Sequence, residues 1–388
     1  MLLRFSSALS VLITFDICSS ASPLKNNEAR DYPTIIGNPA GFSLEVEAVT
    51  ISSNRSRSRS RGGFIELNEN DLAAPGSTSV VTPGLMVDKS WMIAIEIGIP
   101  AQRLLLTVDT GASSFYVYKE VPGEIFRVCY SFGCFWGPVR QEFVKVGNLA
   151  LTNYNFEMVT GTSARFRLGG PASGTFGLNR EVNMPTGPTL WLNWIGAIKD
   201  FLDNPLFTID YHKSTSSGTM DFAFIDQSKY HGDIGWAPAL NSRHWTVEIN
   251  GIVAGNTYFH GPFNVIIDTG DPDGMHLPQW ALDEFFRLIP GSVWNDASRT
   301  YAFPCGTKLP DLIFGISADH KGTIPSSHIH VGAIAGTSDP QMCISQLFLG
   351  PPDELGVLYG WGDTIIMSQF LVFDYGHDRI GFAAKTSY

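Results

Sequence analysis

The chain predicts an all-β fold built as two related lobes with a few short helices. Three observations carry this. Glycine and proline number 39 and 23 among 388 residues, a turn-rich composition. Runs such as Trp91-Met-Ile-Ala-Ile-Glu-Ile97 alternate and are rich in β-branched residues, the period-two pattern of a half-buried strand. An apolar run ending in Asp-Thr-Gly occurs twice, at Leu104–Gly111 and Phe263–Gly270, with the aspartates 159 positions apart. That spacing is too long for a solenoid period and suits a duplicated lobe. With 44% apolar and 12% aromatic residues, the chain has material for a sizeable core and is not a disordered polymer. Its formal net charge of -11 lacks the excess of Lys and Arg that phosphate binding needs, so no nucleic-acid partner is expected. The five cysteines form no C-x-x-C pair, which removes a zinc-ribbon reading.

Taken from the N-terminus, residues 1–21 read as a secretory signal. Arg4 supplies the positive start, Leu9–Phe15 the short apolar stretch and Ser19-Ser-Ala21 the small residues at the cut. Residues 22–61 read as a propeptide or disordered basic linker with one alternating stretch, Phe42–Val49. The segment closes on Arg55-Ser-Arg-Ser-Arg-Ser-Arg61, read as a processing junction cut after Arg61 or nearby, and it holds the one N-glycosylation sequon, Asn54-Arg-Ser56. Residues 80–205 are expected to form a first lobe and 206–388 a second. Helical spacing is scarce, with Trp191–Leu202 and Pro278–Ile289 the two cases. No later segment reaches the ~18 consecutive apolar residues of a membrane span, and Lys385-Thr-Ser-Tyr388 carries no hydrophobic tail. Export to an extracellular or vacuolar-type acidic compartment is therefore expected. Beyond residue 61 the chain holds 19 basic and 32 acidic residues, a balance compatible with acid surroundings.

The duplicated motif has a chemical reading. A strand ending in Asp, then a small hydroxyl residue and glycine, makes a tight turn. The carboxylate is presented outward and the hydroxyl is free to bond the partner loop. If two such loops meet about a pseudo-two-fold axis, Asp109 and Asp268 face each other. Two carboxylates within a few ångströms cannot both ionise, so they share a proton. The ionised member takes a proton from a water held between them, and the protonated member serves the scissile carbonyl. Neither metal nor cofactor is required. Each motif is followed by an apolar stretch around glycine, Gly174-Thr-Phe-Gly177 in the first half and Leu358-Tyr-Gly-Trp-Gly-Asp363 in the second.

On these residues the chain resembles the pepsin-like (A1-type) aspartic endopeptidases over roughly residues 80–388. Ile97-Gly-Ile-Pro-Ala-Gln102 is similar to the family's entry to the first catalytic strand, and Thr246-Val-Glu-Ile-Asn-Gly251 to its second-lobe counterpart. Tyr130-Ser-Phe-Gly133, with Gly137 and Val144-Lys-Val-Gly147, resembles the flap hairpin. The resemblance implies a bilobal fold and hydrolysis of polypeptides at acidic pH by a monomeric, secreted enzyme made as a zymogen. Within it Asp109 and Asp268 are catalytic, and Thr110 and Thr269 brace the loops. Tyr130, Ser131 and Phe132 cover substrate, while Gly111, Gly270 and Asp271 line its backbone. It also implies a disulfide between Cys305 and Cys343. Cys129 and Cys134 flank the flap tip and are expected to bond in an exported protein; two free thiols are the other reading.

Several features depart from the family. Asp109 to Gly177 spans 68 positions, against 94 from Asp268 to Gly362, and most of the loss falls between Tyr116 and Cys129. Tyr116 stands where the family has a tryptophan. Ala112 replaces the usual serine, as in retroviral relatives, and Asp271 the usual Thr or Ser. An added carboxylate raises the dyad's affinity for protons and replaces a donor by an acceptor; a lower pH optimum or reduced activity is expected from it. These departures support a rival reading, a catalytically weak or inactive binding or inhibitor-like protein on the same fold. Retention of both Asp-Thr-Gly loops and Tyr130 opposes it. His328 and His330 alternate in a His-Ile-His stretch with no third ligand near in sequence, and read as surface strand residues, not a metal site. No H-E-x-x-H, G-x-S-x-G or P-loop pattern is present.

Overall fold

The computed structural model describes residues 34–36, 42–50, 89–118, 125–130, 133–162, 172–184, 191–240, 243–272, 274–333, 341–350 and 359–386. Residues 1–21, the Asn54 sequon and the Arg55–Arg61 run lie outside these.

Lys89–Ile97 and Gln102–Asp109 form an antiparallel hairpin with Ile93 opposite Leu106. Alternation decides its faces: Trp91, Ile93, Ile95, Leu104, Leu106 and Val108 all point into the core. Gly174–Gly177 lies parallel to the catalytic strand with Gly177 opposite Asp109. Phe115–Tyr118 pairs antiparallel to that segment, and Leu149–Val159 parallel to Phe115–Tyr118.

The second lobe repeats the arrangement. Thr246–Ala254 and Thr257–Ile267 form the hairpin. Tyr359–Trp361 runs parallel to the catalytic strand, with Trp361 opposite Ile267. Met275–Leu277 pairs antiparallel to it, and Leu347–Leu349 parallel to Met275–Leu277. The duplication read from two short motifs is thus one of a whole five-strand arrangement, each with a parallel glycine-bearing strand set beside the catalytic one.

The lobes share a sheet. From the first-lobe hairpin it continues through Phe42–Thr50 to Ser217–Phe222, Leu206–His212, Gln369–Asp374, Arg379–Lys385 and Tyr230–Pro238. Residues 22–61 are therefore not linker throughout. The alternating stretch Phe42–Thr50 pairs on one side with Ser217–Phe222 and on the other with Lys89–Ile97, and it fills the gap between them as a strand. Thr34–Ile36 also pairs, with Ala150–Thr152. Over the sheet one continuous core joins both lobes, including the fully buried Trp91, Trp194, Trp245 and Trp361. Phe207 stacks on Phe373 with ring centroids 4.6 Å apart.

Helices are few and short, as expected. Gln279–Phe286 buries Ala281, Leu282, Phe285 and Phe286 on one face. The second helical stretch is shorter than its spacing suggests: Trp194–Ile198 is α-helical, capped by Asn193 accepting from the Gly196 amide at 2.9 Å, and a 3-10 turn follows at Lys199–Phe201. His328 corrects the surface-strand reading. It lies on the helix Ser326–Ile329, buried, with Nδ1 2.8 Å from the Ser368 hydroxyl. Its alternation with His330 straddles a helix–strand junction, so the two residues do not share a strand face.

Candidate active site

Each Asp-Thr-Gly motif sits at the end of a core-facing strand, where burial of the preceding residues fixes the direction of the turn. The two turns interlock by a reciprocal set of bonds. The Thr110 amide donates to the Thr269 hydroxyl at 2.9 Å, and the Thr269 amide to the Thr110 hydroxyl at 3.0 Å. Each hydroxyl then donates across to the other lobe's catalytic strand, Thr110 to the Ile267 carbonyl and Thr269 to the Val108 carbonyl, both at 2.8 Å. Both threonines are buried, so every donor and acceptor here is satisfied inside the protein.

The lock brings Asp109 and Asp268 into hydrogen-bond contact. The approach leaves room only for glycine at the next-but-one position. A Cβ on Gly111 would stand 2.3 Å from an Asp268 oxygen, and one on Gly270 2.6 Å from Asp109 Cγ. Each glycine amide instead donates to its own aspartate, at 2.9 Å for Gly111 and 2.8 Å for Gly270.

The electrostatics separates the pair. Burial pushes Asp109 up to about 6, opposed by hydrogen bonds from the Gly111 and Ala112 amides and from Asp268. Asp268 is pushed well above the carboxylate range, by burial first, then by the charge of Asp109 and of Asp271, with only the Gly270 amide against. Both carboxyls are thus pushed up, Asp268 against fewer opposing amides, and the pair shares one proton. Asp271 raises both, so the range in which the pair carries one proton moves upward in pH. By linkage a higher proton affinity extends the singly protonated state toward neutrality, so of the two outcomes expected from Asp271 it is the lower pH optimum that does not follow.

Residues not singled out in the sequence support the loops. Behind the first, the Asn179 amide donates to the Ala112 carbonyl at 3.0 Å, and its side-chain nitrogen contacts the Ser113 hydroxyl at 3.4 Å and His244 Nδ1 at 3.0 Å. Burial and Arg243 push His244 down to about 4. Behind the second, the Asp363 amide donates to the Asp271 carbonyl at 3.1 Å, and its buried carboxylate accepts from the Trp91 indole at 2.9 Å. Only the apolar-glycine stretches preceding Asn179 and Asp363 hinted at these positions.

The proposed flap is a hairpin of Ile125–Tyr130 and Gly133–Val146 with Tyr130 opposite Gly133 and Cys129 opposite Cys134. Ser131 and Phe132 lie outside the described residues, and of Tyr130 and Cys129 the backbone alone is described. Cys134 is disulfide-bonded. Tyr116 packs against Phe135, which stands opposite Val128 near the tip of the hairpin, ring centroids 4.4 Å apart. Cys305 and Cys343 form a disulfide.

A duplicated all-β fold with two carboxyl groups joined across its lobes is that of an aspartic-type peptidase. Residues 118–385 match the eukaryotic aspartyl protease family model, and the chain belongs to that family. Aspergillopepsin-1 of Aspergillus oryzae (strain ATCC 42149 / RIB 40) is 28% identical over 351 residues, covering 84% of this chain and 84% of that protein. Endothiapepsin of Cryphonectria parasitica is 27% identical over 338 residues, covering 79% and 78%. The fold is similar to the crystal structure of aspartic proteinase from Irpex lacteus, with TM-score 0.64 at 19% identity over 76% of this chain and 94% of that one. The family resemblance, the bilobal all-β fold and the hydrolase class are borne out, and the non-catalytic rival is not favoured. Among the described residues no helix is long and apolar enough to cross a membrane.

Proposed function

We propose that the chain is a monomeric acid endopeptidase of polypeptides, exported as a zymogen, in which Asp109 is the general base and Asp268 the general acid. The reciprocal threonine lock carries this reading, because it holds the two carboxyl groups against each other without help from a ligand. Asp109 takes a proton from a water lying between the carboxyls, and the water oxygen bonds to the scissile carbonyl carbon. Asp268 gives its proton to the carbonyl oxygen as the C=O double bond becomes single. Collapse of the resulting diol breaks the C–N bond, with a proton passed from Asp109 to the departing nitrogen and one returned from the diol to Asp268. Atoms and charges balance, and the dyad ends as it began.

Gly111, Gly270 and Asp271 border the peptide backbone, and Tyr130, Ser131 and Phe132 close over it. Residues 1–21 are the export signal, and the segment up to Arg61 is removed on activation. Residues 80–205 and 206–388 form the two lobes, and removal of the segment opens the shared sheet between Lys89–Ile97 and Ser217–Phe222, where Phe42–Thr50 pairs with both. Cys129 is the partner proposed for Cys134, because it stands opposite in register.

Cleavage of an unfolded protein at acid pH tests the assignment. The mature enzyme is expected to cut it and to be blocked by a statine-type inhibitor, while Asp109→Asn and Asp268→Asn fall to background. Cleavage that survives either substitution removes the dyad mechanism.

A further inference from the structure

One ionisable pair beside the dyad is not used by that mechanism. Asp271 follows the second Asp-Thr-Gly motif, and His276 follows on the strand Met275–Leu277. Their side chains are 20% and 26% exposed, with His276 Nδ1 3.9 Å from Asp271 Oδ2. The same Nδ1 lies 3.2 Å from the Gly360 carbonyl, so it carries the hydrogen and donates there, which leaves Nε2 as the position that gains or loses a proton. The geometry is built around Gly360. A Cβ at that position would stand 2.7 Å from Asp271 Oδ2 and 3.5 Å from His276 Nδ1, so the missing side chain is the space in which the pair meets. The backbone on both sides is fixed. The Trp361 indole donates to the His276 carbonyl at 2.9 Å, and the Asp271 carbonyl accepts from the Asp363 amide.

We propose that His276 and Asp271 form a charge pair that sets the net charge standing beside the catalytic aspartates, with His276 a positioning residue that acts through Asp271. The inference rests on the acid-endopeptidase reading. Protonated, His276 cancels the Asp271 carboxylate. Neutral, it leaves that negative charge to face Asp109 and Asp268, whose proton affinities Asp271 raises. The groups facing His276 are Asp271 from its loop, the Gly360 carbonyl from Tyr359–Trp361, and the Phe348 ring, 6.2 Å away, from Leu347–Leu349. His276 and the two catalytic carboxyls are among those facing Asp271. The pair therefore couples the dyad to the protonation of a second site.

Two measurements on the mature enzyme test this. The first follows the His276 ring proton by NMR, assigned by its loss in His276→Gln. Replacing Asp271 by Asn is expected to lower the His276 midpoint by roughly half a pH unit or more; an unmoved midpoint overturns the pairing. The second is the pH profile of kcat/KM. Asp271→Asn is expected to move both limbs to lower pH, and His276→Gln to move both to higher pH by about half a unit. In the Asp271→Asn background the His276→Gln shift shrinks to less than half that size. An equal shift in both backgrounds, or none in either, overturns the proposal. Should the wild-type enzyme cut nothing at acid pH, the peptidase reading fails while the NMR titration still decides the pair.

Discussion

The two catalytic loops are alike in how they hold each other and unlike in what surrounds their carboxyls. Asp109 has two amide donors, from Gly111 and Ala112, and Asn179 and His244 behind it. Asp268 has the Gly270 amide, a second carboxylate at Asp271 and a third, Asp363, one layer further back. A duplicated scaffold thus supplies the symmetry, and the unequal number of backbone amide donors supplies the asymmetry, with Asp271 raising both carboxyls. Symmetric contacts fix position, while unequal donors and charges fix protonation.

The largest expected effect tests the division of roles. Asp109→Asn and Asp268→Asn each lower kcat/KM by at least about a thousandfold while the thermal unfolding midpoint stays near that of the wild type. A variant that keeps a tenth of the activity would mean that the lobes are not equal partners.

Next, Gly111→Ala and Gly270→Ala push a methyl group into the opposite aspartate. Each is expected to cost about a hundredfold or more in kcat with little change in KM, a loss carried by the reacting geometry. Because the predicted clashes are so similar, 2.3 Å and 2.6 Å, a large difference between the two variants would break the symmetry of the loops.

A third test separates the lobes by pH. Glu157, on the first-lobe strand Leu149–Val159, is completely buried, and burial pushes it from 4.5 up to about 8, with the Ser114 hydroxyl opposing. The folded protein keeps that proton up to about 8, whereas the unfolded chain releases it near 4.5. Stability is therefore fully present below pH 4.5 and declines as pH rises toward 8. Glu157→Gln is expected to recover a few kcal/mol at neutral pH and nothing at pH 4, read by denaturant unfolding at both values. A wild-type stability that stays level from pH 5 to 8 would contradict this.

The smallest effect is the most symmetric. Thr110→Val and Thr269→Val keep shape and lose one hydroxyl each, leaving an amide and a carbonyl of the partner loop unpaired. Each is expected to cost about 2 kcal/mol in stability, and the double variant less than the sum of the singles. Additive losses would mean that the two hydroxyls act independently.

Much of this was legible in the chain itself. The catalytic strands are written as apolar runs stopped by a tight turn, and their repetition implied the duplication. The parallel strands at Gly174–Gly177 and Tyr359–Trp361 were visible only as apolar stretches around glycine. Other features left no local signature. The pairing of His276 with Asp271 depends on a missing side chain 84 residues beyond His276, at Gly360. Glu157 lies on an ordinary-looking strand, and its burial comes from neighbours remote in sequence, such as Ser114. The alternating triplet at His328 predicts one strand, but a helix ends inside it. That Asp271 raises the dyad's proton affinity is legible in the sequence, whereas its bearing on the pH range follows from linkage and not from pattern.

The threonine bonds carry one more consequence. Each hydroxyl belongs to one half of the gene product and serves the main chain of the other. Neither half owns a finished catalytic turn. Produced as separate fragments, the halves would be inert until they reassociated, and activity would then rise with the product of the two fragment concentrations.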